Sequence, residues 1–509
     1  MTDMEIIRNF PFFSIMICMF SAIVTSVLPA KAARYLTRAA LIAVMVLSAV
    51  LLVNLRGSGT SFPYMMGHFP APWGNEIRAG ELEALMALFI STVALFSVMA
   101  GMPAVLKDID EDKQNLYFIL VDLMTASIIS MIYTNDLFTG YVFIEINTIA
   151  GCGLIMIRQI GKSVVTAMRY MIISLVGSGL YLIGVTMLYT ISGHLLMPNI
   201  RESIAELADN DKYSVTLTVV VGLITVGLAI KSGLFPFHLW IPDAYGYSNV
   251  ASSSLLSSIV SKGYILLLIK IFYRVIGFDI IVKSGVNNIL FVFGVTAMIM
   301  GSLAAIREKN IRRMIAYSSV AQIGYIYMGM GLGTKAGTVA ALFHIISHGA
   351  TKSLLFLSSA EFTEGSHSKE FSELYGTGRK YRGSALCYSI GAFSMVGFPL
   401  LSGFISKYMF ATAAVGHNLK MILALGALAL STILNTIYFL KSVIVIYSDD
   451  PKKRRPQSLE TYLSGAGGMM SSKMQYFCSI GALTVINFLL GIKAQTIIDI
   501  ISEGLEVFG

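Results

Sequence analysis

Charge is what this sequence has least of. Asp, Glu, Lys and Arg make up only 13% of its 509 residues, hydrophobic residues make up 55%, and the mean hydropathy is +0.73. That leaves too little polar surface to coat a water-soluble globule of this size, so the chain belongs in a bilayer. Cysteine is also scarce. Cys18, Cys152, Cys387 and Cys478 stand far apart, each inside an apolar stretch. This excludes both a metal-ligand spacing and a disulfide framework, and reads as packing. No motif for a flavin, an iron–sulfur cluster or a quinone occurs, so no cofactor is expected in this chain. The net charge of +8 does not call for nucleic acid, because the basic residues cluster in short connections between apolar runs, where they orient helices.

What is abundant is long apolar runs. Runs of about 17 to 28 residues, enough to cross a hydrocarbon core of roughly 30 Å at about 1.5 Å per residue, recur along the whole chain. About fourteen fit, starting near Phe10, Ala39, Glu83, Leu116, Leu137, Val164, Val215, Val250, Ile289, Ile311, Gly337, Ala385, Met421 and Phe477. The expected fold is therefore all-α, a polytopic membrane bundle with no soluble domain left over. Ala30-Lys31-Ala32 imitates a signal-peptide cleavage site, but the run from Phe10 to Leu28 is long for one, and Asp3 and Glu5 dilute the positive charge ahead of it. It is read as the first membrane helix. From Lys493 to Gly509, apolar residues alternate with Asp499, Glu503 and Glu506, as in a short interfacial helix. Lys and Arg number roughly 20 in connections on the side holding Arg34, Arg307, Arg312, Arg313 and the Lys452-Lys453-Arg454-Arg455 run, against roughly 8 on the other. That side is expected to be cytoplasmic, and an even number of spans then puts both termini outside.

Two runs carry helix breakers at mid-depth, which a bilayer tolerates only where freed backbone groups meet protein or water. The seventh reads Lys231-Ser232-Gly233-Leu234-Phe235-Pro236-Phe237-His238, and the twelfth Gly397-Phe398-Pro399-Leu400-Leu401-Ser402-Gly403-Phe404-Ile405-Ser406-Lys407. The lysine precedes the proline in one and follows it in the other, as expected of two repeats of about five helices with inverted topology. Two ordinary kinks are the alternative.

An ionisable side chain at the centre of a membrane helix costs about 2.5 to 3.5 kcal/mol on insertion scales, so several in one bundle need a reason. Glu145 lies in the fifth run, Lys231 in the seventh, Lys262 in the eighth, His344, His348 and Lys352 in the eleventh, and Lys407 in the twelfth. Lys270 and Lys441 suit snorkelling, with the stem in lipid and the ammonium at the interface. Glu145 must face the bundle and meet a cation, for which Lys231 is the candidate. Burial favours a neutral lysine and a nearby carboxylate favours the ammonium, so moving Glu145 would switch Lys231 between holding and releasing a proton. Breaking such a pair costs about 3 to 5 kcal/mol in soluble proteins. His344, His348 and Lys352 recur every four residues and line one helix face. Three titratable groups in a stripe suit a proton relay, whereas a metal held by the two histidines would want an acidic or thiol ligand nearby in sequence, and there is none. His238 and Asp243 are read as structural, with His238 also a candidate inlet proton group. Pro242 would end the seventh helix, Asp243 cap the next, and Trp240 anchor at the interface.

Several segments together carry a resemblance. They are Asn135-Asp136-Leu137-Phe138 with Tyr141-Val142-Phe143-Ile144-Glu145, the run Gly233 to Ala244, Ile311-Arg312-Arg313-Met314-Ile315-Ala316-Tyr317-Ser318-Ser319, and Gly397-Phe398-Pro399 leading into Ser402-Gly403-Phe404. In this order they resemble the antiporter-like subunits of complex I, Mrp Na+/H+ antiporters and membrane-bound hydrogenases. The resemblance implies fourteen helices with two inverted five-helix half-channels. The chain would divide into N-terminal helices (1–114), a first half-channel (115–276), a second (285–447), and a loop, last helix and tail (448–509).

It also implies roles. Glu145 and Lys231 match the fifth- and seventh-helix pair, Lys262 the connecting lysine, His348 the central histidine and Lys407 the terminal group; His344 and Lys352 match less closely. Protons would enter from the cytoplasm at Lys231, pass by Lys262 and the histidines, and leave near Lys407. Lysine at 407 and Pro70-Ala71-Pro72-Trp73-Gly74 are similar to the Mrp D-type and related hydrogenase subunits, and no long C-terminal extension of the largest type is present. Any redox reaction would belong to partner membrane subunits. Three readings are open: a proton-translocating subunit of a respiratory or hydrogenase complex in a prokaryotic plasma membrane, an Mrp-type Na+/H+ exchange subunit without redox coupling, and a passive scaffold. Whether Na+ accompanies protons is open at this level.

Overall fold

The structure, a computed structural model, describes residues 3–70, 74–208, 214–416, 418–449 and 469–508. The principal helices, with the two broken ones counted whole, are α1 (Phe10–Thr25), α2 (Ala30–Ser58), α3 (Glu81–Asp108), α4 (Gln114–Tyr133), α5 (Leu137–Met156), α6 (Gly161–Ser192), α7 (Ser214–Ser232, resuming as Ile241–Tyr247), α8 (Val250–Ile276), α9 (Val286–Arg307), α10 (Ile311–Gly331), α11 (Lys335–Gly365), α12 (Arg382–Val396, resuming as Ser402–Ala413), α13 (Leu419–Tyr447) and α14 (Met469–Ile492). Eleven helices among the described residues are long and apolar enough to cross a membrane. The expected spans at Phe10, Ile311 and Ala385 fall outside that set: α1 has 16 residues, α10 is interleaved with Ser, Tyr, Gln and Gly, and α12 is interrupted.

One departure from an all-helical chain is a hairpin, β1 (Phe62–Met65) paired antiparallel with β2 (Glu76–Ala79). The tail forms the amphipathic helix α15 (Ala494–Glu506), whose Gly504 lets it approach Leu82 on α3. Residues 71–73 of the Pro70–Gly74 segment and the Lys452-Lys453-Arg454-Arg455 run lie outside the described residues.

Short polar caps start the helices that matter most. Asp136 Oδ1 accepts from Thr139 N (2.7 Å) at α5, Asn249 Oδ1 from Ala251 N (2.9 Å) at α8, Asn310 Oδ1 from Arg312 N and Arg313 N at α10, and Thr334 Oγ1 from Gly337 N (3.1 Å) at α11. Each satisfies donors that a helix start leaves open. The connections sort to two ends. At the basic end, Arg158 pairs with Asp108, Arg313 with Asp243, Asn310 bridges Glu370, and Lys369 donates to Gly246 O (2.9 Å). Burial, with Arg312 and Arg158 close by, pushes the Lys369 ammonium down to about 6. At the other end Ile77 bridges Thr134 and Asp136 bridges Leu196.

α8 and α11 lie wholly inside the bundle, while α2, α6 and α13 show much of their surface outward. With no hydrophobic drive between helices in lipid, close approach rests on small residues. On α10, a Cβ at Gly324 would come within 2.6 Å of Gly294 O on α9. Gly324→Val should therefore force the two helices apart and lower stability by about 1–3 kcal/mol. Gly426→Ala on α13, where nothing lies within 4 Å, should leave the thermal midpoint of the detergent-solubilised protein unchanged.

Candidate functional site

The two breaks are where the sequence puts them. After Ser232 the chain turns at Gly233 (φ 78°) and resumes through a 3-10 turn at Phe237–Trp240. After Val396 it turns at Gly397 (φ 97°) and passes Leu400 at φ 71° before α12 resumes at Ser402. Glycine adopts that left-handed geometry freely, whereas at Leu400, whose side chain is exposed, it is a strained conformation.

Lys231, on the last turn before the first break, is 1% exposed. Its Nζ donates to Thr148 Oγ1 (2.6 Å) and Glu145 Oε1 (3.3 Å), and sits 6.0 Å over the Tyr264 ring. Glu145 and Thr148 are one turn apart on α5, so one helix face supplies both acceptors. Glu145 keeps 24% of its side chain exposed, so it stands at the rim of the bundle and reaches inward to the lysine.

Lys262 is fully buried and donates to Ser257 O, five residues back on its own helix. That carbonyl lies in a π-helical turn, Leu256–Val260. A wide turn displaces the usual hydrogen-bond ladder and turns carbonyls toward other donors. Further along α8, Lys270 Nζ donates to Thr134 O (3.1 Å) and to Ile132 O at the end of α4. At 2% exposed this lysine does not snorkel, contrary to the sequence expectation, because α4 ends beside it and offers free carbonyls.

On α11 the stripe forms as expected from its spacing. The His344 and His348 rings stack 5.6 Å apart at 2°, and Tyr325 stacks on His344 at 5.6 Å. His344 Nδ1 is 2.6 Å from Ser406 Oγ on α12, next to Lys407. Both ring nitrogens of His348 and Nε2 of His344 are buried without a partner. Lys352 donates to Ile315 O (2.9 Å) and to Ser318 Oγ on α10. Lys262 and Lys352 are near enough for their charges to act on His348, as Lys407 and Lys262 are on His344. Lys407 donates to Val396 O (2.7 Å), the carbonyl at the second break, and lies 5.9 Å over Tyr325. The seven sequence-chosen residues thus lie on α5, α7, α8, α11 and α12, with Lys231, Lys262, His344, His348 and Lys352 buried and Glu145 and Lys407 half-buried. No group of three or more His, Cys, Asp or Glu that could hold a metal occurs among the described residues.

Other expectations are corrected. Trp240 is 2% exposed and packs 4.8 Å from Tyr170, so it belongs to the core and is no interfacial anchor. Pro242 begins the Ile241–Tyr247 helix, and Asp243 pairs with Arg169 and Arg313 while Asn249 does the capping. His238 is 8% exposed and stacks on Phe235. Lys441 is exposed and leans over Phe371 at 5.6 Å. Of the four free cysteines Cys18 is buried, but Cys478 is exposed and packs nothing in. Sequence reasoning missed the ion pair of Glu83 and Arg274 (2.6 Å; 2% and 3% exposed) beside Lys270, because both sit near run ends, where charge is ordinary.

Comparison with known proteins agrees with this architecture. The sequence profile of the NADH:quinone oxidoreductase/Mrp antiporter transmembrane family matches residues 134–433, a stretch that holds all seven site residues. The N subunit of the NADH-quinone oxidoreductase of Desulforudis audaxviator is 30% identical over 410 residues, 80% of this chain and 79% of that protein. The D-type subunit of the Na(+)/H(+) antiporter of Alkalihalophilus pseudofirmus is 24% identical over 413 residues, 81% of each. A chain in the archaeal membrane-bound sulfane sulfur reductase superposes with a TM-score of 0.84 at 22% identity, over 99% of this chain and 98% of that one. A chain in the Mrp complex of Dietzia sp. DQ12-45-1b superposes with a TM-score of 0.83 at 21% identity, over 99% and 97%.

The Glu83–Arg274 pair gives a direct test of the packing around Lys270. Glu83→Gln leaves a buried guanidinium without its counter-charge and should cost about 3–5 kcal/mol in the unfolding free energy. Adding Arg274→Gln should recover part of that loss, since the pair acts as a unit. Equal and additive losses would contradict the pairing.

Proposed function

Because the chain belongs to the NADH:quinone oxidoreductase/Mrp antiporter transmembrane family, we propose that it is a proton-translocating membrane subunit of a multi-subunit ion-pumping complex. The observation that carries this reading is the set of buried and half-buried titratable side chains, Glu145, Lys231, Lys262, His348, His344, Lys352 and Lys407, on helices α5, α7, α8, α11 and α12. In lipid so many ionisable groups facing one another mark an ion path. Glu145 holds the proton on Lys231, and when the pair separates the proton passes by Lys262 to the stacked histidines. Imidazole accepts and donates with small driving force near neutral pH. Lys407, next to the second break, releases it. Lys352, one turn along α11, adds its charge to the field at His348.

On this reading α4–α8 (115–276) and α9–α13 (285–447) form two inverted half-channels within a fourteen-helix bundle, each interrupted at its broken helix, with 1–114 and 448–509 flanking them. The complementary order of lysine and break in α7 and α12 supports this. The basic end faces the cytoplasm of a prokaryotic cell, the membrane is the plasma membrane, and both termini lie outside. Single cysteines placed at the two ends should react with an impermeant maleimide added to intact cells, and reaction only after lysis would reverse the orientation.

A second reading, Na+/H+ exchange without redox coupling, is favoured by the relative from the Na(+)/H(+) antiporter. Isolating the tagged chain in mild detergent separates the two: dehydrogenase, hydrogenase or reductase subunits in the complex indicate redox coupling, and small membrane subunits alone indicate exchange. In either complex, reconstituted in liposomes, Glu145→Gln, Lys231→Ala, Lys262→Ala and Lys407→Ala should each lower proton flux on the order of 100-fold. Full flux in all four would leave only a scaffold role.

A further inference from the structure

Asp122 lies in the middle stretch of α4, away from the line just described, and is 0% exposed. Its Oδ2 accepts from Ser21 Oγ on α1 (2.6 Å) and from Thr37 Oγ1 on α2 (3.0 Å), while Oδ1 is buried with no partner. One turn further along α1, Thr25 Oγ1 is likewise buried and unpartnered.

Apart from the Cys18 thiol, the charged groups on the surrounding helices are engaged elsewhere. On α1 the buried Cys18 thiol faces the carboxyl. On α2, Arg34 and Arg38 stack on the exposed ring of Tyr35 at 5.1 and 5.7 Å. On α3, Glu83 pairs with Arg274, Lys107 with Glu364 and Asp108 with Arg158. On α5, Glu145 pairs with Lys231, and on α8 Lys262 and Lys270 donate to carbonyls. A carboxylate with an orphaned oxygen and no cation beside it is far costlier in a low-dielectric interior than a neutral acid. The neutral form instead uses Oδ2 as the acceptor for both hydroxyls and carries its proton on Oδ1. A metal cation would need a shell of oxygen ligands, whereas here both hydroxyls are already turned onto Oδ2.

An apolar groove of about 950 Å³ runs between α1 and α2 on the outer surface, lined by Phe13, Ile17, Phe20, Val24 and Leu47 among others, with Ser21 at its wall. Phe20 is 56% exposed there. We propose that Asp122, with the Ser21 and Thr37 hydroxyls, is a proton-binding carboxyl site separate from the Glu145–Lys407 line, reached from the lipid side through this groove and open to modification by an apolar carbodiimide. The acid gives its proton to a carbodiimide nitrogen while its oxygen adds to the central carbon. The O-acylisourea then rearranges by acyl transfer to a stable N-acylurea containing every atom of both reactants, and nothing is oxidised or reduced. A carboxylate holding a metal ion has no proton to give and does not react this way.

The test treats the purified full-length chain in liposomes with dicyclohexylcarbodiimide at neutral pH and maps adducts by mass spectrometry. The expected result is an adduct on Asp122 itself, with the same yield in sodium chloride as in choline chloride, and a yield that falls as rising pH ionises the acid. Asp122→Asn should lack that adduct while still reacting at other carboxyls. Suppression by sodium would make this a cation site and overturn the proposal. So would an unmodified Asp122 in wild-type protein whose other carboxyls react.

Discussion

An ammonium group inside a bilayer must be solvated by something other than water, and in this chain backbone carbonyls do most of it. Lys262 uses Ser257 O in a π-helical turn, Lys270 the carbonyls where α4 ends, Lys352 uses Ile315 O, and Lys407 uses Val396 O at the second break. In a regular helix each carbonyl already accepts from a donor in the next turn, so an open one is found at a helix end or break and elsewhere must be shared. Two of these acceptors lie in irregular segments, the π-helical turn of α8 and the break in α12, and others at the end of α4, whereas Lys352 shares a carbonyl inside the unbroken α10 and adds the Ser318 hydroxyl.

A carbonyl accepts from an ammonium and from a neutral amine alike, so it tolerates either protonation state. A carboxylate does not, because it favours the charged form. Lys231 is the one buried lysine of this set whose partner is a carboxylate. On the proposed reading, that difference would separate a site that holds a proton from sites that pass it on. Glu145 is still 24% exposed at the rim of the bundle, and on the proposed reading a neighbouring subunit or a small shift of α5 would pull it away. The interior lysines and the stacked histidines have no such handle.

Much of this was legible in the sequence, for identifiable reasons. Gly233, Pro236, Gly397 and Pro399 announce their breaks because no other residues interrupt an apolar run so strongly, and the four-residue spacing of His344, His348 and Lys352 needs only helix geometry. The pairing of Glu145 with Lys231 came from the cost of leaving either alone. What stayed hidden depends on contacts distant in sequence or on backbone irregularity without a residue signature. Nothing in Leu256–Val260 betrays a π-helical turn. Lys270 looks like a snorkelling residue until α4 is set beside it, and Trp240 looks like an anchor until Tyr170 covers it. Asp122 passes as a single polar residue in an apolar run, since its two hydroxyl partners come from helices roughly a hundred residues earlier.

The measurement that bears most directly on the central claim is a double-mutant cycle on proton flux through the reconstituted complex, using Glu145→Gln, Lys231→Met and the two together. If the pair is one device, the double variant should be no slower than the worse single variant. Losses that multiply would mean that Glu145 and Lys231 act independently, and would contradict the account.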